Sequence, residues 1–233
     1  MYGKTIKNNK FFLSLTMVIV LITSIVTIFQ FFQPEVLNIL RRDPERLASG
    51  EWWRIITPLL VHSDGWGQYI FNIVCIIVIG IEVERLYGKI DFLFLYLAGG
   101  LIGEIAGYAW EPYGAGASVG LCGLLGGLYI ITLISRKKVA NPLSLLLSLY
   151  IVVGLVSFAS GRIYVSIGLF IMVGVLTGII MKRKNPEKLL GTLSSIGGFI
   201  GVITLLMFHD IHGAAILGGS LTAVILFSLQ RWS

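Results

Sequence analysis

Residues 163–181 read IYVSIGLFIMVGVLTGIIM and contain no charged side chain. The hydrocarbon core of a bilayer is about 30 Å thick, and a helix of about 20 apolar residues crosses it. The polar sequence Lys182-Arg183-Lys184-Asn185-Pro186 follows at once and ends the apolar run. The sequence therefore predicts a transmembrane helix over 163–181.

Seven further apolar runs of similar length accompany this one along the chain. The chain is 56% hydrophobic and only 13% charged, with a mean hydropathy of +0.88, and a water-soluble domain could not bury so much apolar surface. We predict a single domain over 1–233, an all-α polytopic membrane bundle of about eight transmembrane helices. The predicted spans are 11–32, 66–84, 91–109, 117–135, 143–159, 163–181, 190–207 and 211–229.

The positions of Lys and Arg predict the orientation, because positively charged loops resist translocation. With the N-terminus inside, thirteen of the eighteen Lys and Arg residues lie on the inner side. Both termini are then cytoplasmic, and the first run is a retained helix because it lacks a cleavage site. Residues 33–65 form an extracytoplasmic loop, and its Trp52, Trp53 and neighbouring Trp66 are aromatics of the kind found at membrane interfaces.

Composition argues against several other classes of protein. The net charge of +6 comes from short basic clusters between apolar runs, a pattern of membrane topology and not of nucleic-acid binding. Cys75 and Cys122 both lie inside apolar runs, where they are typical packing residues without the spacing of a disulfide framework or a zinc site. We expect no metal and no organic cofactor.

Glycine is abundant in two neighbouring runs, where small residues typically mark close helix contacts. Five of these glycines surround a serine in the fourth run. Ser118 follows Gly114-Ala115-Gly116-Ala117 at the predicted start of that helix, beside free amide donors that suit an oxyanion. A helix-capping serine is the alternative interpretation. The glycines are Gly99, Gly103 and Gly107 in the third run and Gly116, Gly120, Gly123, Gly126 and Gly127 in the fourth.

His212 stands at the predicted start of the eighth helix. In the predicted topology the fourth and eighth helices run in the same direction, so Ser118 and His212 lie at similar depth. Ala215 and Gly219 share the helix face of His212 and allow close approach. A serine within reach of a histidine base is the minimum unit that activates a hydroxyl nucleophile. A histidine at the edge of a loop is the alternative.

Several motifs in order resemble the rhomboid family of intramembrane serine proteases over residues 11 to about 135. They are Gly50-Glu51-Trp52-Trp53-Arg54-Ile55-Ile56-Thr57-Pro58, then His62, Asn72, Glu84-Arg85-Leu86-Tyr87-Gly88, and Gly116-Ala117-Ser118 with Gly123. The resemblance implies that Ser118 is the nucleophile and that a histidine on a later helix is the base. It implies that Asn72 helps to bind the oxyanion, and we group Gln68 and Gly116 with it as candidate oxyanion or substrate-binding residues.

The resemblance also implies a loop at Trp52 to Arg54 that lies partly in the membrane, and a substrate that is the transmembrane segment of another protein. We take His62, Trp52 and Arg54 as structural or gating candidates. We assign purely structural roles to Glu82, Glu84 and Glu104, and for Glu104 we expect a hydrogen bond between helices.

The sequence departs from the family pattern at three points. Gln68 occupies a position where relatives commonly have a second histidine, and Cys122 replaces an aromatic residue that would pack on the catalytic histidine. The 94 residues between Ser118 and His212 exceed the usual interval. An alignment to the sixth helix would place Ser166 or Ile167 at the position of the base and predict a dead enzyme, whereas His212 requires an extra hairpin added to a six-helix core.

We therefore expect a cell-membrane serine endopeptidase that cleaves transmembrane protein substrates with a Ser118 and His212 dyad. An inactive rhomboid-like protein that binds client helices is the main alternative. A transporter is a third class, but the sequence has no convincing internal repeat. The oligomeric state, the natural substrate and the cleavage site are not readable from the sequence.

Overall fold

A computed structural model describes residues 14–135 and 140–230, and all regular structure in these residues is helical. Two short 3-10 helices, Trp52–Ile55 and Thr57–Leu60, accompany the α-helices. The α-helices are α1 (Leu15–Phe32), α2 (Glu35–Leu40), α3 (Pro44–Ala48), α4 (Gly65–Tyr87), α5 (Lys89–Trp110), α6 (Ser118–Ile134), α7 (Pro142–Ser160), α8 (Ile163–Met181), α9 (Pro186–Met207) and α10 (Ile211–Gln230).

The chain is a multi-pass integral membrane protein, as the apolar runs predicted. Six of the described helices are long and apolar enough to cross a bilayer: α1, α5, α7, α8, α9 and α10. The apolar helix α6 is shorter, with 17 residues. The count of eight crossings and the cytoplasmic placement of the termini stay predictions. Seven basic residues of the charge count lie outside the described residues: Lys4, Lys7, Lys10, Arg136, Lys137, Lys138 and Arg231.

Helices α5, α6 and α10 form the centre of the bundle and touch backbone to backbone. A Cβ atom at Gly99 of α5 would collide with the Cα of Gly123 in α6. A Cβ at Gly219 of α10 would meet the carbonyl of the same Gly123, and one at Gly126 would meet the carbonyl of Ile216. The glycine spacing predicted close helix contacts, and these are confirmed: at these glycines the three helices pack without intervening side chains.

Pairs of hydroxyl groups connect α9 to its neighbours. Ser194 of α9 lies 2.6 Å from the hydroxyl oxygen of Ser148 in α7, and Ser195 lies 2.5 Å from that of Thr132 in α6. Burying a hydroxyl group in an apolar bundle costs free energy. The hydrogen bond compensates this cost only while both hydroxyl groups stay paired. Helix α8 packs on the outside, mainly against α7, with most of its surface exposed.

Two glutamates organise the end of the bundle opposite to Ser118. The carboxylate of Glu84 accepts hydrogen bonds from the backbone amides of Leu15 and Thr16, and so caps the N-terminus of α1. Glu82 binds the Arg85 guanidinium through both oxygens, at 2.7 and 2.9 Å, and accepts a bond from the amide of Asn141 before α7. Both residues have the structural environment expected from their positions in α4.

Candidate active site

Ser118 is the first residue of α6, at the end of a tight segment that crosses from α5. The amide of Gly116 donates to the carbonyl of Pro58 at 3.0 Å, which ties this segment to the preceding loop. A Cβ atom at Gly116 would lie 2.7 Å from the Gln68 amide nitrogen and 3.3 Å from the Ser118 hydroxyl. A side chain at position 116 would therefore displace the Gln68 amide and crowd the Ser118 hydroxyl, so glycine suits this position beside the serine.

His212 lies in the first turn of α10, and its imidazole meets Ser118. The distance from His212 Nε2 to Ser118 Oγ is 3.0 Å, within hydrogen-bond range. The contact depends on the close packing of the two helices, in which Gly219 lies on Gly123, and on Ala215 packed against Gly103. The structure thus brings together two residues that are 94 positions apart, and a serine with a histidine partner can act as a nucleophile.

Asp210 precedes α10 and contacts the other side of the imidazole. One carboxylate oxygen lies 2.7 Å from His212 Nδ1 and accepts a bond from the His212 amide at 2.9 Å. Burial favours the neutral acid, but the hydrogen bonds from His212 prevail and hold the pKa of Asp210 below its ordinary value. Sequence reasoning missed this residue, although an Asp two positions before a histidine at a helix start was a readable signal.

Asn72 and Gln68, the two oxyanion candidates, have different surroundings. Asn72 is 2% exposed and lines the same cavity as Ser118, and among the described residues its Nδ2 has no hydrogen-bond partner. Gln68 is already engaged at both ends of its amide, since Nε2 donates to the carbonyl of Ala115 and Oε1 accepts from the amide of Asp64. Asn72 is therefore the candidate with a donor available for a ligand.

An apolar cavity of about 450 Å³ extends from Ser118 between α4, α6, α7 and α8. Phe71 of α4, Leu147 and Phe158 of α7, and Phe170 of α8 contribute to its walls. A second cavity of about 130 Å³ reaches the same hydroxyl and is more polar. Apolar pockets with a few convergent polar groups are typical of ligand sites.

A buried ion pair lies next to the polar cavity and joins the long loop to α5. Arg42, 1% exposed, binds Glu104 at 2.6 Å and donates to the carbonyl of Glu111 at 3.0 Å. The prediction that Glu104 has a partner is confirmed, but the expected hydrogen bond between helices was wrong, because the partner comes from the loop between α2 and α3. The path of a loop is not encoded in helix periodicity, so no sequence signal pointed to Arg42.

The three structural or gating candidates do not contact the serine and histidine pair in the described structure. His62 lies against α1, where its Nδ1 is 2.9 Å from the Thr27 hydroxyl, and burial lowers the pKa of His62 to about 4. Arg54 is fully buried and donates to the carbonyls of Asn38 and Arg41, so it orders the loop. Trp52 is 72% exposed.

The competing alignment to α8 places no base near Ser118. Ser166 donates to the carbonyl of Arg162, the residue before α8, and Ile167 is 55% exposed. Cys122 is fully buried one turn after the serine and lines the apolar cavity. Over residues 14–135 and 140–230, no group of three or more His, Cys, Asp or Glu side chains is arranged to hold a metal ion.

Comparison with known proteins adds a family to this geometry. The sequence model of the Rhomboid domain matches residues 49–231. The chain is similar to the rhomboid protease GluP of Bacillus subtilis (strain 168), 37% identical over 115 residues, which are 49% of this chain and 22% of that protein. YdcA of the same organism is 32% identical over 145 residues, 60% of this chain and 72% of that one.

The rhomboid protease AarA of Providencia stuartii is 24% identical over 202 residues, 77% of this chain and 66% of that protein. The chain thus spans under a quarter of the length of GluP and about two thirds of AarA.

Proposed function

The chain belongs to the rhomboid family, and on that premise we propose that it is an intramembrane serine protease with Ser118 as nucleophile and His212 as general base. The observation that carries the proposal is the 3.0 Å contact between Ser118 Oγ and His212 Nε2 across α6 and α10. Relatives named as proteases support the same activity. The reaction is hydrolysis of a peptide bond in or near a transmembrane segment of another protein.

The chemistry follows from the hydrogen-bonding capacities of the two side chains. His212 Nε2 accepts the Ser118 proton as the hydroxyl oxygen attacks the peptide carbonyl carbon, and the protonated ring then gives that proton to the leaving amine. Water attacks the resulting acyl ester by the same exchange in reverse. No metal or organic cofactor enters this scheme.

The developing oxyanion needs hydrogen-bond donors where its charge appears. Asn72 Nδ2 is the donor we assign, because it lines the cavity beside Ser118 and lacks a partner among the described residues. The first-turn amides of α6 are further candidate donors, since helix geometry leaves such groups without acceptors four residues earlier in the helix, although the Val119 amide already donates to the carbonyl of Gly116 at 3.4 Å. Gln68 supports this arrangement by donating a hydrogen bond to the carbonyl of Ala115. Gly116 supports it by leaving space beside the Ser118 hydroxyl.

The apolar cavity is the proposed place for the substrate. Its walls come from α4, α7 and α8, which are helices with lipid-exposed surfaces, so a transmembrane segment can approach from the bilayer. We propose further that the protein resides in the cell membrane with both termini cytoplasmic, which places Ser118 near the outer face. Trp52 and Arg54 then belong to a loop at the outer interface.

Replacement of the nucleophile tests the activity. We expect Ser118→Ala to abolish cleavage of a model transmembrane substrate in proteoliposomes, because no other hydroxyl contacts His212 in the described structure. Ser166→Ala is the matched control, since Ser166 bonds to the carbonyl of Arg162 before α8, and it should cleave like the parent chain. A parent chain and Ser118→Ala that cleave equally would refute the assignment.

An inactive protein that binds client helices is the second candidate. The engaged amide of Gln68 and the small Cys122 favour it, because both leave the site with less support than the family pattern implies. A fluorophosphonate probe separates the two candidates. Labelling that disappears in Ser118→Ala indicates a protease, whereas an unlabelled parent chain that still cross-links to a model transmembrane helix indicates the binder.

A further inference from the structure

The imidazole of His212 is hydrogen-bonded on both of its nitrogens. Nε2 contacts Ser118 Oγ at 3.0 Å, and Nδ1 contacts Asp210 Oδ1 at 2.7 Å. An ionised carboxylate can only accept, so Nδ1 carries the proton toward Asp210. The lone pair of the neutral ring is then on Nε2, directed at the serine hydroxyl.

We propose that Asp210 is a positioning residue that selects the tautomer of His212, holds its ring toward Ser118 and stabilises the imidazolium formed during catalysis. This inference rests on the proposed protease function. It extends the expected pair of residues to an ordered set of three, Asp210, His212 and Ser118, although Asp210 itself touches no reacting atom. The functional logic is that of a carboxylate behind a histidine base.

The surroundings of the ring make this restraint important. On the α6 side the neighbouring side chain that lines the cavity is Cys122, a small thiol that cannot hold a ring by stacking. Asp210 is 10% exposed on its side chain, so its bond to His212 is shielded from bulk water. A charge-assisted bond in such a place is stronger than one at the surface.

Other charged groups face the site, but none bonds to the ring. Glu104 of α5 interacts electrostatically with His212, and its charge is balanced by the ion pair with Arg42. Asp64, before α4, lines both cavities with His212 and is exposed. Cys122 of α6 has an electrostatic interaction with Asp210. On the α9 side, Leu205 and Leu206, which do not titrate, lie beside Gly213.

A purely structural role for Asp210 is the competing explanation. Its carboxylate also accepts a hydrogen bond from the backbone amide of His212, and an Asp before a helix commonly serves as an N-cap. Asparagine caps helices as well as aspartate does. Asp210→Asn therefore keeps the cap and the acceptor oxygen while it removes the negative charge, whereas Asp210→Ala removes the cap as well.

The test compares the parent chain with both variants in proteoliposomes. For Asp210→Asn we expect the melting temperature and KM of the parent, kcat lower by about tenfold or more, and the acid limb of kcat/KM displaced by about one pH unit to lower pH. The displacement is downward because loss of the carboxylate disfavours the imidazolium. Asp210→Ala should show the same kinetic losses and a lower melting temperature.

A second measurement does not depend on turnover. The chain has three histidines, and in ring-labelled protein the signal of His212 is assigned by its loss in His212→Gln. We expect its titration midpoint to fall by about one pH unit in Asp210→Asn. Equal midpoints and equal kcat in parent and Asp210→Asn would overturn the proposal, even if the parent is an active protease. If the parent chain does not cleave but the His212 midpoint still falls in Asp210→Asn, the positioning role is supported and only the protease function is contradicted.

Discussion

The glycines of the central helices and those of the outer helices have opposite surroundings. In α5, α6 and α10 there is no space for a side chain at Gly99, Gly123 or Gly219, because the backbone of a neighbouring helix lies there. In α7 and α8 a Cβ at Gly154 or Gly178 would meet nothing within 4 Å. The serine and histidine lie on the tightly packed side, and the apolar cavity opens toward the loosely packed side.

The difference in packing corresponds to two requirements of the proposed function: a fixed serine and histidine pair, and a route of entry for the substrate. Under the proposed function, Ser118 and His212 must keep their relative position to within fractions of an ångström, and tightly packed helices favour this. The proposed substrate would enter on the side of α8, where most of the helix surface is exposed and a Cβ at Gly178 would meet nothing within 4 Å. The tightly and loosely packed parts of the bundle are therefore distinguished by whether backbone or open space lies beside their glycines.

Filling the central contact should produce the largest effect. We expect Gly219→Val to prevent folding, a loss of more than about 5 kcal/mol, because the side chain would enter the carbonyl of Gly123 and separate α6 from α10. Loss of the monodisperse protein in detergent is the measurement. The matched control is Gly178→Ala in α8, expected to be neutral or up to about 1 kcal/mol stabilising. If both variants unfold alike, the contrast is false.

Breaking the buried ion pair should have the next largest effect. Glu104→Gln leaves the Arg42 guanidinium buried without its counter-charge, and we expect a loss of about 3–5 kcal/mol in SDS-titration unfolding in mixed micelles. Glu111→Gln is the control, because Glu111 is 44% exposed and 4.0 Å from Arg42, and it should change stability by less than about 1 kcal/mol. A Glu104→Gln protein as stable as the parent would show that the loop is not anchored here.

Breaking the hydroxyl pair that joins α7 to α9 should give the smallest effect. We expect Ser148→Ala to cost about 0.6 kcal/mol and at most about 1.7, the range of hydrogen bonds between transmembrane helices. Ser228→Ala, which removes an exposed bond within α10, is the control and should be neutral. A loss above 3 kcal/mol for Ser148→Ala would mean that α7 is held as firmly as the central helices.

Prediction from the sequence was most successful where the length of an apolar run decides the structure. The apolar runs located the long helices, and the shared direction of the fourth and eighth runs predicted that Ser118 and His212 lie at similar depth, where they could meet. The predicted ends were less accurate: α9 begins at Pro186 instead of 190, and α4 extends to Tyr87 instead of 84. Charged residues are compatible with the ends of transmembrane helices, so hydropathy underestimates their length.

The unpredicted parts of the site depend on geometry that no local pattern encodes. Arg42 reaches Glu104 from a loop 62 residues earlier in the chain, and nothing in its flanking sequence indicates burial. Asp210 was readable in principle, since a helix cap and a histidine two residues later form a local motif. That a single oxygen of this carboxylate would bond to both the His212 amide and the His212 ring depends on the conformation of the turn between α9 and α10.

The order of the chain also controls when the site can exist. Ser118 leaves the ribosome long before His212, and α7, α8 and α9 are synthesised in between. A nascent chain that stops at residue 207 has a serine but no base, because α10 supplies the only imidazole that contacts it in the described structure. Under the proposed function, hydrolysis of a peptide bond therefore has to wait until α10 has been synthesised and inserted.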